Sequence, residues 1–314
     1  MAKDKTTYVC NECGGTSPKW LGKCPHCGAW NTLDETVAEA AGPAKNRFQS
    51  LARSLPVATL SEIDAAEVAR TPTGQEELDR VLGGGSVEGG GVLSGGDPGI
   101  GKSTLLMPAA AALSRKGHRV IYVSGEEAVA QVRLRAQRLH AADTEVLLAA
   151  ETNVEDILAT ISEGKRPDLV IIDSIQTLWT DLADSAPGTV TQVRASAQAV
   201  IRYAKSTGAA VVLVGHVTKE GQIAGPRVVE HMVDAVLYFE GGSGSRFRVL
   251  RAFKNRFGAV NELGVFAMGE KGLKEVPNPS AIFLSGSAQQ PGSCVMVTRE
   301  GTRPLLVEVQ ALVD

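Results

Sequence analysis

Between residues 92 and 252 the chain alternates short, almost purely apolar runs with longer stretches whose apolar residues recur at helical spacing. The runs are Val92-Leu93, Arg119 to Ser124, Leu147 to Ala150, Leu169 to Ile172 and Ala210 to Val214. Runs of aliphatic and β-branched residues without polar alternation predict strands buried on both faces. The first is expected to be short, because Gly89-Gly90-Gly91 leads into it. Between the runs, Ser103 to Leu113, Val154 to Ile161 and Gln192 to Ser206 predict helices, as does the stripe Val129, Val132, Ala136, Leu139. Such alternation predicts a mainly parallel sheet joined by right-handed crossovers. Later the pattern changes: Ala235 to Glu240 and Phe247 to Ala252 flank Gly241 to Ser245 and predict a hairpin.

Ahead of this region the periodicity fails. Residues 31 to 58, rich in Ala, Glu and Gly, predict a linker, and Thr73 to Asp79 a capped short helix leading to Gly83-Gly84-Gly85. Asp184 to Thr189, with Pro187 and Gly188, reads as a polar loop, and Lys219 to Arg227 as a glycine-bearing one.

One loop carries chemistry. Gly96-Asp97-Pro98-Gly99-Ile100-Gly101-Lys102-Ser103-Thr104 fills every fixed position of G-x-x-x-x-G-K-[ST], the phosphate-binding loop. Glycines let successive backbone N–H groups turn toward phosphate oxygens, and the following helix points its positive end at them. Lys102 is then expected on the β- and γ-phosphates of ATP or ADP and Ser103 on Mg²⁺. Asp173 ends the apolar run Leu169 to Ile172 and is expected to share Mg²⁺ with Ser103. Gly125-Glu126-Glu127 ends another run. Acids at that end of a strand lie beside the loop and can orient an attacking water, or equally open the next helix. Position at the strand end favours Glu126 over Glu127.

Composition narrows the setting. The chain has 314 residues, 43% hydrophobic and 4% aromatic, a core-forming composition with room for about two domains. A formal net charge of -3 excludes a global basic field, so any DNA contact must be a local patch. No apolar run approaches a membrane span and the first residues lack a signal-peptide core, so a cytoplasmic location with no membrane partner is expected. In that compartment Cys10-x-x-Cys13 and Cys24-x-x-Cys27 predict a closed, structural Zn²⁺ site rather than disulfides. Residues 1 to 30 cannot bury enough core alone, which suits a structural metal, and Trp20 and Trp30 are expected to cover this module.

Past the hairpin stands Lys254-Asn255-Arg256-Phe257-Gly258. With GGDPGIGKST, VSGEE, LVIIDSIQT and GHVTKEGQIAGPRVVEHMVD it makes nearly the whole chain resemble the bacterial RadA (Sms) DNA repair family. The resemblance implies a RecA-like P-loop ATPase core over residues 59 to 279, behind the four-cysteine zinc module. Gly301 to Leu312 resembles the start of that family's Lon-protease-like domain, giving a last segment, 280 to 314, that is expected to be truncated. The family implies a DnaB-type hexameric ring that loads on single-stranded DNA, drives branch migration of recombination intermediates as a helicase and works with RecA. Carried over, Lys102, Ser103 and Thr104 bind nucleotide and metal, Glu126 activates water and Asp173 is the Walker B acid. Lys254 and Arg256 then act on a neighbouring subunit's γ-phosphate, as an arginine finger does, or on DNA phosphate. Loops 181–191 and 216–227 occupy the DNA-loop positions, with Lys219 and Arg227 as the phosphate contacts and no aromatic stacking platform in either.

Met107-Pro108 departs from a regular helix after the loop, since proline removes a hydrogen bond and crowds the preceding turn. Other functions compete. A P-loop kinase of the KaiC clock type shares the paired glutamates, and a binding-only recombination mediator would use nucleotide to set assembly. A peptidase is disfavoured, because no Ser–Lys pair of the Lon-like region is identifiable.

Overall fold

The computed structural model describes residues 5–38, 69–216, 228–241, 245–284 and 292–311. The chain divides into two compact units, Met1–Ala69 and Arg70–Asp314. Lys219 and Arg227 lie outside the described residues, as does most of the expected linker.

In the first unit β1 (Lys5–Cys10) pairs antiparallel with β2 (Thr16–Ser17) and with β3 (Leu33–Ala38), in the order β2-β1-β3. The third strand falls in the stretch expected to be linker, beyond residue 30. Its register brings Leu33 opposite Cys10, and Cys10, Cys24 and Leu33 form the small interior. Because the sulfurs occupy that interior, the indoles do not cover it: Trp20 is 55% exposed and Trp30 70%.

The second unit opens with β4 (Arg70–Thr71), α1 (Glu76–Leu82) and β5 (Ser86–Val87). No side chain caps α1 at Gln75; instead the Asp79 carboxylate accepts the Thr73 N–H at 2.8 Å. Then come β6 (Gly91–Gly95), α2 (Lys102–Arg115), β7 (Val120–Ser124), α3 (Val129–Arg138), β8 (Leu147–Ala150), α4 (Val154–Ser162) and β9 (Leu169–Asp173). After them follow α5 (Val190–Thr207), β10 (Ala210–Val214), α6 (Val228–Met232), β11 (Ala235–Glu240), β12 (Phe247–Asn255), β13 (Leu263–Gly269) and β14 (Gly272–Glu275). They build one nine-stranded sheet in the order β14-β13-β12-β11-β6-β10-β9-β7-β8. From β11 to β8 all pairs are parallel, and β12, β13 and β14 extend the edge antiparallel.

The uninterrupted apolar strands are explained by helices on both faces. Val170 and Ile172 of β9 pack with Ile157 and Ile161 of α4 and Val193 and Val200 of α5. Leu169 and Ile171 turn the other way, toward Met107, Ala110 and Leu113 of α2 and Val132 of α3. Pro108 stands inside α2, which is one element from Lys102 to Arg115; the missing N–H costs its bond to the Thr104 carbonyl. The glycines thinning β6 have a packing reason, since a Cβ at Gly91 would lie 2.5 Å from Ile201 Cδ1 of α5.

The last strands, β15 (Ser293–Glu300) and β16 (Arg303–Gln310), form an antiparallel hairpin. Arg303 anchors it to α1. Its guanidinium donates to Glu77 Oε2 at 2.5 Å, and the two side chains are 8% and 6% exposed.

Candidate active site and metal centre

Parallel register gathers the candidate residues. Ser94 of β6 is level with Val214 of β10, Val214 with Asp173 of β9, and Asp173 with Ser124 of β7. Gly96, His216, Ser174 and Glu126 therefore leave one edge of the sheet within two residues of a common row. Ligands collect at this edge in open α/β sheets. A cavity of about 340 Å³ opens there, lined among others by Gly101, Lys102, Ser103, Glu126, Asp173 and His216.

The loop is shaped by its glycines. Gly101 has φ +120°, in the left-handed region, and a Cβ there would lie 2.9 Å from Met268 Cε, so a side chain meets both strain and a clash. The N-terminus of α2 begins at the next residue and points its free N–H groups at the cavity. Lys102 is 4% exposed, and its Nζ donates to the Gly96 and Asp97 carbonyls at 2.7 and 2.8 Å. Burial brings its pKa down to about 8, against the pull of Asp173, Glu126 and Asp97. Buried cation, free helix N–H groups and nearby carboxylates suit a nucleotide's phosphates and a hard divalent cation.

The two glutamates differ in their bonds. Glu126 Oε1 accepts from the Ser174 hydroxyl at 2.5 Å and from His216 Nε2 at 3.0 Å. The His216 bond leads in holding its carboxyl down to about 2; burial opposes it and Ser174 assists. Glu127 pairs instead with Arg135 at 3.0 Å, while its N–H is held by Ser124 Oγ. Asp173 accepts from the Tyr122 hydroxyl, and Arg135 lies 3.7 Å from the same carboxylate oxygen. Burial, then the Asp173 charge, push the Tyr122 pKa well above the usual phenol value. Tyr122, Arg135, Ser174 and His216 are not legible as site residues in the sequence, because a tyrosine inside an apolar run or a histidine after one reads as ordinary packing.

Lys254 and Arg256 are not brought to this cavity. Lys254 pairs with Val236 and Asn255 with Ala235, and Ala235 is level with Val92 near the start of β6. Both cations therefore lie toward the opposite end of the sheet from the loop. Lys254 Nζ donates to the Glu230 and Val233 carbonyls, each at 2.7 Å, and burial and then Arg256 lower its pKa. Arg256 is 60% exposed in its side chain and 3.5 Å from Asp234. Segment 181–191 carries Asp181 and Asp184 but no Lys or Arg, and Gln192 Nε2 ties it to the carbonyls of Ala183 and Ser185, each at 2.9 Å.

In the first unit Cys10, Cys13, Cys24 and Cys27 converge, with all four sulfurs within 4.8 Å of one another. Cys10–Cys27 and Cys13–Cys24 are 3.7 and 3.6 Å apart. A tetrahedral zinc with bonds of about 2.3 Å requires sulfur separations of about 3.8 Å, so the set fits Zn²⁺. Burial pushes the Cys13 thiol up to about 12; at Cys24 the N–H groups of Cys27 and His26 outweigh burial and bring it down to about 6. Metal binding at such a set displaces thiol protons.

Comparison with known proteins covers both units. Residues 57–222 match the AAA domain family and residues 8–35 a rubredoxin metal binding domain. The DNA repair protein RadA of Brucella abortus (strain 2308) is 63% identical over 322 residues, which cover 100% of this chain and 68% of that protein. The DNA repair protein RadA of Bacillus subtilis (strain 168) is 50% identical over 321 residues, covering 100% of this chain and 69% of that protein. Among solved structures, an ATPase domain matches with a TM-score of 0.57 at 15% identity, over 68% of this chain and 93% of that one. The RadB recombinase matches with a TM-score of 0.51 at 19% identity, over 65% of this chain and 98% of that one. These two structures bear on fold alone, a RecA-like ATPase core. From the zinc-ribbon module to the last hairpin, this chain belongs to the RadA family of DNA repair proteins.

Proposed function

We propose that this protein is a cytoplasmic, ATP-hydrolysing motor that assembles as a hexameric ring, tracks single-stranded DNA and promotes branch migration of recombination intermediates together with a RecA recombinase. The observation that carries the proposal is the convergence of Lys102, Glu126 and Asp173 on one cavity at the sheet edge. The names of its relatives support the setting in DNA repair.

In this reading the N–H groups of residues 96–104 and Lys102 hold the nucleotide phosphates, and Ser103 and Asp173 hold Mg²⁺. Bound there, Mg²⁺ would offset the negative charge of the phosphates. Glu126 accepts a proton from the attacking water: its carboxylate is ionised at neutral pH and is aimed by Ser174 and His216. Glu127, paired with Arg135, steadies the wall beside Asp173. Lys254 and Arg256 complete the site of the next subunit, because within their own chain they lie at the far end of the sheet. Lys219 and Arg227 contact DNA phosphate without reading sequence. We read residues 1–38 as the zinc module, 39–58 as linker, 59–279 as the motor and 280–314 as the opening of a Lon-protease-like region.

ATP hydrolysis measured with and without single-stranded DNA, over a salt series, tests this reading. Stimulation that fades as salt rises is expected. DNA binding without any stimulation of turnover would overturn the motor and leave a nucleotide-controlled mediator.

A further inference from the structure

The tryptophans expected to cover the zinc module face solvent together. A Cβ at Gly22 would lie 3.9 Å from Trp20 Cη2 and 3.9 Å from Trp30 Cζ3, so both ring edges converge on one glycine. Lys23 Nζ stands 5.5 Å from the centre of the Trp30 ring. This geometry is built into the second zinc knuckle. Lys23 and Trp30 face each other in an antiparallel bridge, the Cys24 N–H donates to the Ala29 carbonyl at 2.8 Å, and the Asn31 N–H to the Gly22 carbonyl at 2.9 Å. The two sulfur ligands Cys24 and Cys27 lie between the bridge partners, so metal binding rigidifies the arrangement.

Charge selects the occupant. From Cys13 to Leu33 there is no Asp or Glu, while Lys19 and Lys23 flank Trp20. Lys19 and Lys23 are both exposed. Two bare indoles beside ammonium groups match the needs of a single-stranded nucleic acid, whose bases stack on aromatic faces and whose phosphates take the cations. No side chain here forms a fixed fork able to read base edges, so binding would be indifferent to sequence. The platform also supplies what segments 181–191 and 216–227 lack, since neither contains Phe, Trp or Tyr.

We propose that Trp20 and Trp30, with Lys19 and Lys23, form a base-stacking site for single-stranded nucleic acid on the zinc module. It is a second strand contact outside the ATPase unit, and it stands whether or not that unit translocates.

Tryptophan emission gives a direct readout. The chain has three tryptophans, so Trp179→Phe leaves only the two on the zinc module. In this zinc-loaded full chain, a thymidine oligonucleotide is expected to quench the emission, less so as salt rises. Trp20→Ala and Trp30→Ala are each expected to weaken oligonucleotide binding by between about 5-fold and about 150-fold, with partial rescue by Phe. Lys23→Glu keeps both rings and all four sulfurs and is expected to weaken binding and flatten its salt dependence. Unchanged affinity in the double Trp20→Ala, Trp30→Ala variant that retains zinc would overturn the proposal. So would quenching by a RecA recombinase but not by the oligonucleotide, which would make the patch a protein surface. Intact quenching without DNA-stimulated hydrolysis would count against the motor alone, and stimulation without quenching against the platform alone.

Discussion

Two lysines at opposite ends of one sheet are held alike but sit among different charges. Lys102 and Lys254 each donate to two backbone carbonyls, at 2.7 and 2.8 Å for the first and 2.7 Å twice for the second. Burial lowers the pKa of both. The charges near Lys102 are carboxylates, Asp173, Glu126 and Asp97. Near Lys254 the charges are mixed: the cation Arg256 leads, and the carboxylates Asp234 and Glu230 oppose it. Asp234, the ion-pair partner of Arg256, already accepts from Lys205 and from the Gly91 N–H. The loop end thus surrounds its lysine with carboxylates alone, whereas at the other end two cations share Asp234 with Lys205 and the Gly91 N–H. Under the proposed function, Lys102 serves the cavity of its own chain and Arg256 that of a neighbour.

The sharpest way to break the comparison is to remove each cation. Lys102→Ala is expected to lose nucleotide binding, with turnover falling at least about 100-fold. Arg256→Ala is expected to keep binding while turnover of the assembled protein falls by about 10³-fold. Mixing the two variants should restore part of the activity, because some interfaces then pair an intact loop with an intact Arg256. Equal loss of nucleotide affinity in both, by titration with a fluorescent nucleotide, would place the two residues at one site and end the contrast.

Next in size is the anchor of the last hairpin. Arg303→Ala strands a buried Glu77 carboxylate and is expected to cost about 3–5 kcal/mol, read as a lowered denaturation midpoint. Exposed pairs such as Arg115–Asp143 should cost under about 1 kcal/mol by the same assay. A smaller effect on turnover is expected from the zinc unit. Cys27→Ser should abolish zinc retention, measured by metal analysis, yet leave DNA-independent hydrolysis within about twofold, since the catalytic candidates lie in the other unit.

The smallest expected effect is a shift along the pH axis. His216 leads in holding Glu126 down to about 2. A depressed carboxyl keeps its ionised form until pH falls through that value, so Glu126 should not limit turnover near neutrality. In His216→Gln the carboxyl returns toward the ordinary range, and the acid limb of the turnover profile is expected to move to higher pH. An unmoved limb would remove His216 from the positioning of Glu126.

Legibility follows the range of the interaction. The phosphate loop depends on glycine geometry and a helix start within nine neighbouring positions, so it is readable in place, and the apolar runs mark all the parallel strands. β13 and β14 escape a reading of the sequence: β13 (Leu263–Gly269) lacks period-two alternation, and β14 spans only four residues, Gly272–Glu275. The third strand of the zinc module reads as linker because its partner β1 lies on the far side of both knuckles.

The sequence alone determined the local chemistry: four thiols in two tight pairs, a loop that only glycines can bend, and an acid at the end of a buried strand. Those properties rest on backbone conformation and ligand spacing between near neighbours, which the order of residues states directly. Tertiary structure alone decided which glutamate meets Ser174 and His216 and which meets Arg135, that Lys254 and Arg256 stand away from the loop, and that two tryptophans face water. The register of neighbouring strands and the occupancy of a small sulfur-filled interior set these outcomes, and both depend on contacts between residues far apart in the chain.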